Sequence, residues 1–210
     1  MRAMRLVPVM VGLMAALTMA QQRGGRATAP AQSAAPTSVV LEAHCASDLG
    51  KGVKTAREFC DVIVAATGDD SMSMRVPAHT GPASLFFDLH PRFEITGPDG
   101  DPARLFQRHT SVVAVVGPTG DVIDRAAVAG EFRSTADLFD RMSGSGPGAF
   151  KVVAPGLPTP IKVAVPASVT SVGIVGLRVE ILSRFNMRAF PEPGRPVAIV
   201  SNWRIEFVPR

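Results

Sequence analysis

Strict alternation of apolar and polar positions predicts a β-strand over residues 83–90. Leu85, Phe87 and Leu89 alternate there with Ser84, Phe86, Asp88 and His90. Because successive side chains of a strand point to opposite faces of the sheet, the first set is predicted to lie in a core. The opposite face then carries two side chains that are capable of chemistry, Asp88 and His90.

A second alternating run near the end of the chain predicts its clearest strand. One face carries Val197, Ile199, Ser201, Trp203, Ile205 and Phe207, and the other carries Ala198, Val200, Asn202, Arg204, Glu206 and Val208. The single tryptophan, Trp203, belongs to the more apolar face, which favours packing in a core over an exposed platform for sugars.

Shorter apolar runs rich in Val, Ile, Phe and Thr recur along the rest of the chain. They span residues 39–43, 60–66, 71–76, 110–116, 121–127, 150–154, 161–165 and 172–182. Pro and Gly separate most of them; residues 117–120 predict a hairpin, and residues 97–100 predict a turn. Short strands between turn signals indicate a mostly β protein, which we expect to be an antiparallel β-sandwich of jelly-roll-like form.

One segment has the spacing of a helix. Ser134 and Asp137 have the spacing of a capping box, and they predict a short helix over residues 134–142. Its apolar stripe consists of Leu138, Phe139 and Met142. Asp140 and Arg141 are expected to be ordinary surface charges and not part of a catalytic carboxylate pair.

Residues 1–20 predict a cleaved secretory signal peptide. Two arginines precede a short apolar run, and small residues surround Ala20, after which we expect cleavage. The run is shorter than the ~20 residues that a spanning helix needs. Gln21 and not a cysteine follows the expected cleavage point, so no lipid anchor is expected. The mature protein is therefore predicted to be periplasmic or secreted, with no transmembrane segment once the signal is removed.

Residues 21–38 are predicted to form a disordered linker. They are rich in Ala, Pro, Gly, Ser and Gln without any periodicity, and they cannot bury enough apolar surface to fold. The remainder, residues 39–210, is predicted to be a single domain that is long enough for a substantial core.

The formal net charge of +4 does not indicate a nucleic-acid partner. The chain holds 22 Lys and Arg against 18 Asp and Glu, and four of the arginines lie in residues 1–38, which hold no acid. The predicted domain therefore carries equal numbers of basic and acidic residues. Its basic residues are scattered and not clustered as a phosphate-binding face requires, so we expect no nucleic-acid binding.

The two cysteines, Cys45 and Cys60, are predicted to form a disulfide. An even pair in an oxidising compartment is typical of a structural bond, and closing this loop would contribute roughly 3 kcal/mol. The alternative is a metal or catalytic role that involves His44. That arrangement lacks the two close ligand pairs that are usual at zinc sites, so no metal site is predicted.

Four residues form a speculative ligand-binding site. Asp88, His90 and Arg92 alternate along one predicted strand face, and His109 directly precedes the apolar run at 110–116. An Asp-x-His pair can present a base with its orienting acid, or two ligands for a metal. The competing interpretation is a charged, solvent-exposed rim in which Asp88 pairs with Arg92. In that case replacing His90 with Ala would hardly change stability, and no catalytic residue is assigned.

Two classes of function remain open. A secretion signal, a linker, one disulfide and a neutral β-rich domain favour a non-catalytic binding or interaction module of the cell envelope, with an unidentified protein or glycan as partner. The alternative is a small extracytoplasmic hydrolase, metal-dependent or acid/base, that uses Asp88, His90 and His109. The sequence contains neither a nucleophile elbow nor a phosphate-binding loop, and no cofactor is predicted.

Overall fold

The computed structural model describes residues 35–95, 106–183, 187–190 and 192–210. The predicted signal peptide, the linker as far as residue 34 and the predicted turn at 97–100 lie outside the described residues. The described part of the chain is mostly β-structure. Its strands are β1 Thr37–Val40, β2 Ala43–Cys45, β3 Asp48–Lys51, β4 Glu58–Ile63, β5 Met72–Arg75, β6 His79–His90, β7 Arg92–Glu94, β8 Gln107–Val116, β9 Val122–Phe132, β10 Val153–Pro155, β11 Thr159–Val165, β12 Ser171–Ser183, β13 Met187–Phe190 and β14 Pro196–Pro209.

These strands form two large antiparallel sheets. Sheet A has the order β11-β6-β14-β4-β3, with β1 also paired to β14. Sheet B has the order β2-β5-β12-β8-β9, with β13 also paired to β12, and β7 and β10 form a separate pair. Each strand predicted from the sequence overlaps one of these strands, and the predicted hairpin joins β8 to β9. The expectation of a mostly β, antiparallel fold is confirmed.

The inner faces of sheets A and B share one hydrophobic core. Leu85, Phe87 and Leu89 of β6 lie in this core, as their alternation predicts, together with Val113 and Ile174 of sheet B. Burying such side chains is the main favourable contribution to folding. No helix among the described residues is long and apolar enough to span a membrane.

A bulge in β14 decides which of its side chains reach this core. Asn202 has a φ of 55°, and the pairing of β14 with β6 shifts register around it. Trp203 belongs to the shared core, whereas Ile199 belongs to a second cluster on the outer face of sheet A. The prediction that one face continues through residues 197–207 is therefore wrong at Ile199 and Ser201, because an extra residue reverses the alternation.

The disulfide between Cys45 and Cys60 joins the two sheets. Cys45 lies in β2 of sheet B, Cys60 lies in β4 of sheet A, and their Cα atoms are 5.8 Å apart. This separation is the usual one for a disulfide, and the predicted bond is confirmed. The bond fixes the relative position of two strands that share no backbone hydrogen bonds.

The predicted helix over residues 134–142 is not found. The capping box of Ser134 and Asp137 forms, but only a single 3-10 turn, Thr135–Asp137, follows it. Beyond the turn, the Phe139 amide donates to the Pro155 carbonyl at 2.9 Å. Backbone groups that a helix would pair internally are thus bonded to another segment, so the first turn is not extended.

Candidate functional site

The segment that links β9 to β11 lies over the outer face of sheet A. This segment, residues 134–157, includes β10 and is called the flap. Hydrogen bonds tie it to its surroundings, from the Val53 amide to the Arg141 carbonyl and from the Gly156 amide to the Pro91 carbonyl, both at 2.9 Å. A second, smaller core lies between the flap and sheet A and consists of Leu49, Phe59, Met142, Val153 and Ile199, with Phe139 packed against them.

Asp140 of the flap fixes the neighbouring loop, residues 52–57. Its Oδ1 accepts from the Lys54 amide at 2.9 Å, and its Oδ2 accepts from the amide and the hydroxyl of Thr55 at 2.8 and 2.5 Å. Gly52 packs so closely that an added Cβ would lie 2.2 Å from Oδ2. Burial alone would raise the pKa of Asp140, but these hydrogen bonds outweigh it and the pKa is lowered.

Asp140 is therefore not the surface charge that the sequence analysis predicted. Its residue is only 4% exposed, and its carboxylate acts as an acceptor for backbone amides of a loop more than eighty positions away. The prediction failed because it placed Asp140 on the solvent side of a helix that does not form.

An open groove lies between the flap and the loop 52–57. Its volume is about 390 Å³, which is within the range of sites for small molecules. Its apolar lining comes from Val53, Leu138, Phe139 and Phe150, and its charged lining comes from Lys54, Asp140 and Arg141. The groove thus combines a mostly apolar surface with a few charged groups.

Two cations line the groove, Lys54 and Arg141. Neither Lys54 nor Arg141 forms an ion pair with any described residue. The guanidinium of Arg141 lies 4.0 Å from the ring centroid of Phe150, and its Nε is buried without a hydrogen-bond partner in the described part of the chain. Cation–π contact orients Arg141, and the donor at its Nε is unused among the described residues.

His90 lies on the outer face of sheet A, beneath the flap, and is fully buried. Its Nδ1 is 2.8 Å from the Gly156 carbonyl, and because a carbonyl only accepts, Nδ1 carries the proton. Nε2 is then the acceptor for the Ser201 hydroxyl at 2.9 Å. Burial lowers the pKa of His90, which keeps the ring neutral. The prediction of an exposed rim is therefore wrong for His90.

Asp88 pairs with Arg57 and not with Arg92. Its Oδ2 accepts from Nη1 of Arg57 at 2.8 Å and from Nδ2 of Asn202 at 3.2 Å. The guanidinium of Arg57 lies 5.2 Å from the ring centroid of Phe139. Asp88 therefore holds a cation against the flap, and no hydrogen bond between Asp88 and His90 is present in the described residues.

Arg92 has a different acidic partner. Its Nε donates to Oδ1 of Asp61 at 2.9 Å, and the other carboxylate oxygen of Asp61 accepts from the Ser47 hydroxyl at 3.0 Å. This pair links β7 to β4. Both charges of the pair are largely buried, and neither is free to bind a ligand.

His109 is separated from the other predicted site residues. It is buried on the inner face of sheet B, against the ring of Phe93, and its Nδ1 has no partner among the described residues. Burial first, and then the nearby charge of Arg92, lower the pKa of His109 to about 4. Because His90 lies on the outer face of sheet A, that sheet separates the two histidines, and the four predicted residues do not form one site.

No family model, no curated protein and no solved structure matches the chain. Within the described ranges, no group of three or more His, Cys, Asp or Glu side chains is placed so that it could hold a metal ion. The geometry of the groove and of the His90–Ser201 pair therefore carries the functional argument by itself.

The sequence analysis missed four residues that build these features, namely Arg57, Asp140, Arg141 and Ser201. Arg141 contacts Phe150 within the flap. The other three act through partners that are distant along the chain: Ser201 lies 111 positions from His90, Asp140 lies 85 positions from Thr55, and Arg57 lies 31 positions from Asp88. No local pattern gives such pairings. The one available signal was the capping box, which marked the start of the flap but was interpreted as the start of a helix.

Proposed function

We propose that this protein is an extracytoplasmic, non-catalytic binding module that takes a small apolar molecule in the groove between the flap and the loop 52–57. The observation that carries the proposal is the groove itself, which is open, mostly apolar and about 390 Å³ in volume. Ligand sites are typically concave and apolar with a few placed polar groups. This lining favours a small molecule over the protein or glycan partner expected from the sequence.

Hydrogen bonds and packing hold both sides of the groove in place, which supports a preformed site. Asp140 fixes the loop 52–57 through three hydrogen bonds, and the core beneath the flap fixes Phe139. A binding site whose side chains are already held in place loses less conformational freedom when a ligand arrives.

We also propose that the protein is periplasmic or secreted and that its fold is a β-sandwich of jelly-roll-like form. The signal pattern of residues 1–20 and the disulfide between Cys45 and Cys60 support a periplasmic or secreted protein, since disulfides persist in oxidising compartments. Two sheets that share one core support a β-sandwich, with the jelly-roll-like form as its most specific version.

An uncharged fluorescent probe, N-phenyl-1-naphthylamine, tests the proposed function. We expect saturable binding at one site per chain, and loss of that binding in Ala136→Trp, because Ala136 lines the groove and an indole there would fill it. Ala129→Trp, at an exposed alanine of β9, is the matched control and should bind as the wild type does. Binding that does not saturate, or that survives Ala136→Trp unchanged, would contradict the proposal.

A hydrolase is the second candidate function, and the His90–Ser201 pair favours it. The hydroxyl donates to Nε2 while Nδ1 donates to a carbonyl, which is the protonation state that a general base needs to activate a serine. His109 has no part in this version. Both side chains are fully buried, so a substrate reaches them only if the flap moves.

Phosphonylation by an alkyl fluorophosphonate tests this second candidate. The Ser201 oxygen would attack phosphorus, fluoride would leave, and His90 would take the hydroxyl proton. A mass increase that is present in the wild type and absent in Ser201→Ala would support a hydrolase. Absence of labelling in both the wild type and Phe139→Ala, in which the flap is loosened, would exclude it.

A further inference from the structure

We infer that the groove selects an anionic amphiphile, namely a small molecule with an apolar body and one carboxylate head, bound as a free monomer. This inference rests on the proposed function, because it takes the groove as the binding site. The proposed function specifies only a small apolar molecule, and the further inference is that this molecule carries a negative charge.

Two cations at the groove favour an anionic ligand. Lys54 and Arg141 both line it, and neither has an acidic partner among the described residues. Arginine presents several donors in a planar fork that matches a carboxylate, and an ionised acceptor forms stronger hydrogen bonds with it than a neutral one. A carboxylate placed beside Phe150 would meet the guanidinium of Arg141.

The buried Nε of Arg141 points the same way. This donor has no partner in the described part of the chain, although buried donors are nearly always paired. The guanidinium carbon lies 4.0 Å from the ring centroid of Phe150, so an apolar ring shields part of this cation from water. A cation that has lost part of its water in this manner interacts more strongly with an incoming anion.

Asp140 does not cancel this positive charge. It is the one acidic side chain of the lining, but its two oxygens accept from the amides of Lys54, Thr55 and Arg141 and from the Thr55 hydroxyl. The negative charge of Asp140 is thereby stabilised by hydrogen bonds from the loop 52–57. The cationic heads of Lys54 and Arg141 are not bonded to it.

The contrast with a third cation beside the groove strengthens the assignment. Arg57 lies over Phe139 much as Arg141 lies over Phe150, yet Arg57 is paired with Asp88 at 2.8 Å. Arg57, which packs against Phe139, is thus neutralised by Asp88, whereas Lys54 and Arg141 have no acidic partner in the part of the chain that the structure describes. An anionic ligand would supply the missing counter-charge.

The shape of the site favours a single free molecule over a membrane surface. The apolar side chains line a concave space of about 390 Å³. A bilayer is contacted by protruding apolar side chains, whereas a concave groove encloses one molecule. The source to which we commit is therefore a monomeric carboxylate amphiphile and not a lipid headgroup within a bilayer.

Three probes with alkyl chains of similar length and different head groups test the inference by isothermal titration calorimetry at low salt, below their micelle concentrations. We expect decanoate to bind at least about tenfold more tightly than decan-1-ol, and decyltrimethylammonium to bind most weakly. The preference for decanoate over the alcohol should shrink at high salt, because Lys54 is exposed and Arg141 is only half-buried, so that salt screens both charges in part.

Two variants assign the preference to the named residues. Arg141→Gln and Lys54→Gln should each lower the affinity for decanoate by a larger factor than the affinity for the alcohol, so that the preference for decanoate shrinks. Lys162→Gln is the matched control, since Lys162 is also a cation over a phenylalanine ring, 5.4 Å from Phe86, but lies outside the groove. It should leave the affinities of all three probes unchanged.

The outcomes separate this inference from the proposed function. If decanoate and decan-1-ol bind equally, and Ala136→Trp abolishes both, the groove is a binding site but the inferred charge selectivity is wrong. If no probe binds and N-phenyl-1-naphthylamine also fails to bind, the proposed function itself is wrong. Co-sedimentation with phosphatidylglycerol vesicles, without binding of monomeric decanoate, would overturn the assignment to a free amphiphile.

Discussion

The Ser201 hydroxyl donates a hydrogen bond of 2.9 Å to Nε2 of His90, from strand β14 to its neighbour β6. The other ring nitrogen of His90 bonds the Gly156 carbonyl at 2.8 Å. Through one side chain, the outer face of sheet A is therefore joined to the flap that forms one wall of the groove. The bulge at Asn202 makes this possible, because without it Ser201 would not lie on this face.

Replacing His90 with Ala is expected to destabilise the protein by about 3–5 kcal/mol. The change removes a ring that packs against Phe59 and Phe139 and leaves the Gly156 carbonyl and the Ser201 hydroxyl buried without partners. Urea unfolding followed by circular dichroism measures the loss. His44→Ala, at an exposed histidine of β2, is the control and should stay within about 0.5 kcal/mol of the wild type.

A loss below about 1 kcal/mol in His90→Ala would mean that the histidine is exposed, as the rim hypothesis predicted. Ser201→Ala should destabilise the protein less than His90→Ala does. It removes one hydrogen bond and leaves Nε2 unpaired, and should cost about 1–2 kcal/mol.

Asp140→Asn is expected to cost about 2–3 kcal/mol and to loosen the loop 52–57. The amide group keeps one acceptor oxygen but turns a donor towards the backbone amides that Asp140 now accepts from. Urea unfolding gives the stability, and hydrogen exchange at the Thr55 amide reports on the loop. Asp124→Asn, at an exposed position of β9, should change neither quantity; equal effects of the two substitutions would argue against the assigned role of Asp140.

The free energy of unfolding is expected to fall as the pH is lowered from 7 to 5. Burial lowers the pKa of His109 to about 4 in the folded protein, from an ordinary value of 6.5. The unfolded state therefore binds more protons within this window, and His109 alone should cost about 2 kcal/mol of stability by pH 5. The lowered pKa of His90 acts in the same direction.

Denaturant unfolding at a series of pH values between 7 and 5 measures this slope. His109→Gln cannot titrate and should show a flatter dependence on pH than the wild type, whatever its stability at pH 7. An identical slope in both proteins would show that His109 is not buried in its neutral form.

Trp203→Ala is expected to cost about 3–5 kcal/mol, because Trp203 is 6% exposed in the core shared by the two sheets. Trp203→Phe should cost less, since it keeps an aromatic ring but loses the hydrogen bond from Nε1 to the Leu41 carbonyl at 2.9 Å. Guanidinium unfolding followed by circular dichroism compares the two variants. A loss under about 1 kcal/mol in Trp203→Ala would place the indole outside the core.

The sequence predicted those parts of the fold that depend on local spacing. Alternation identified the inward face of β6, and the turn residues at 117–120 identified the hairpin of β8 and β9. The pairing of Cys45 with Cys60 followed from the presence of only two cysteines. Each of these features is determined by residues that are near one another in sequence or have a single possible partner.

The parts that could not be predicted depend on contacts between distant segments. A single residue in left-handed conformation, Asn202, reverses the faces of β14 and moves Ser201 beside His90. The capping box at Ser134 forms as its sequence indicates. The Phe139 amide beyond it donates to the Pro155 carbonyl, so the turn does not continue into a helix. The groove arises from these non-local contacts, so neither Arg141 nor Asp140 was recognisable from its neighbours.

We expect the groove between the flap and the loop 52–57 to bind a small anionic amphiphile. Titration of isotope-labelled protein with decanoate, followed by NMR chemical-shift mapping, locates the bound molecule. The account predicts saturable shifts that are largest at Val53, Leu138, Arg141 and Phe150, and small shifts around Phe86 on the outer face of sheet A. Shifts that are spread over the surface, or centred on Phe86, would contradict the claim.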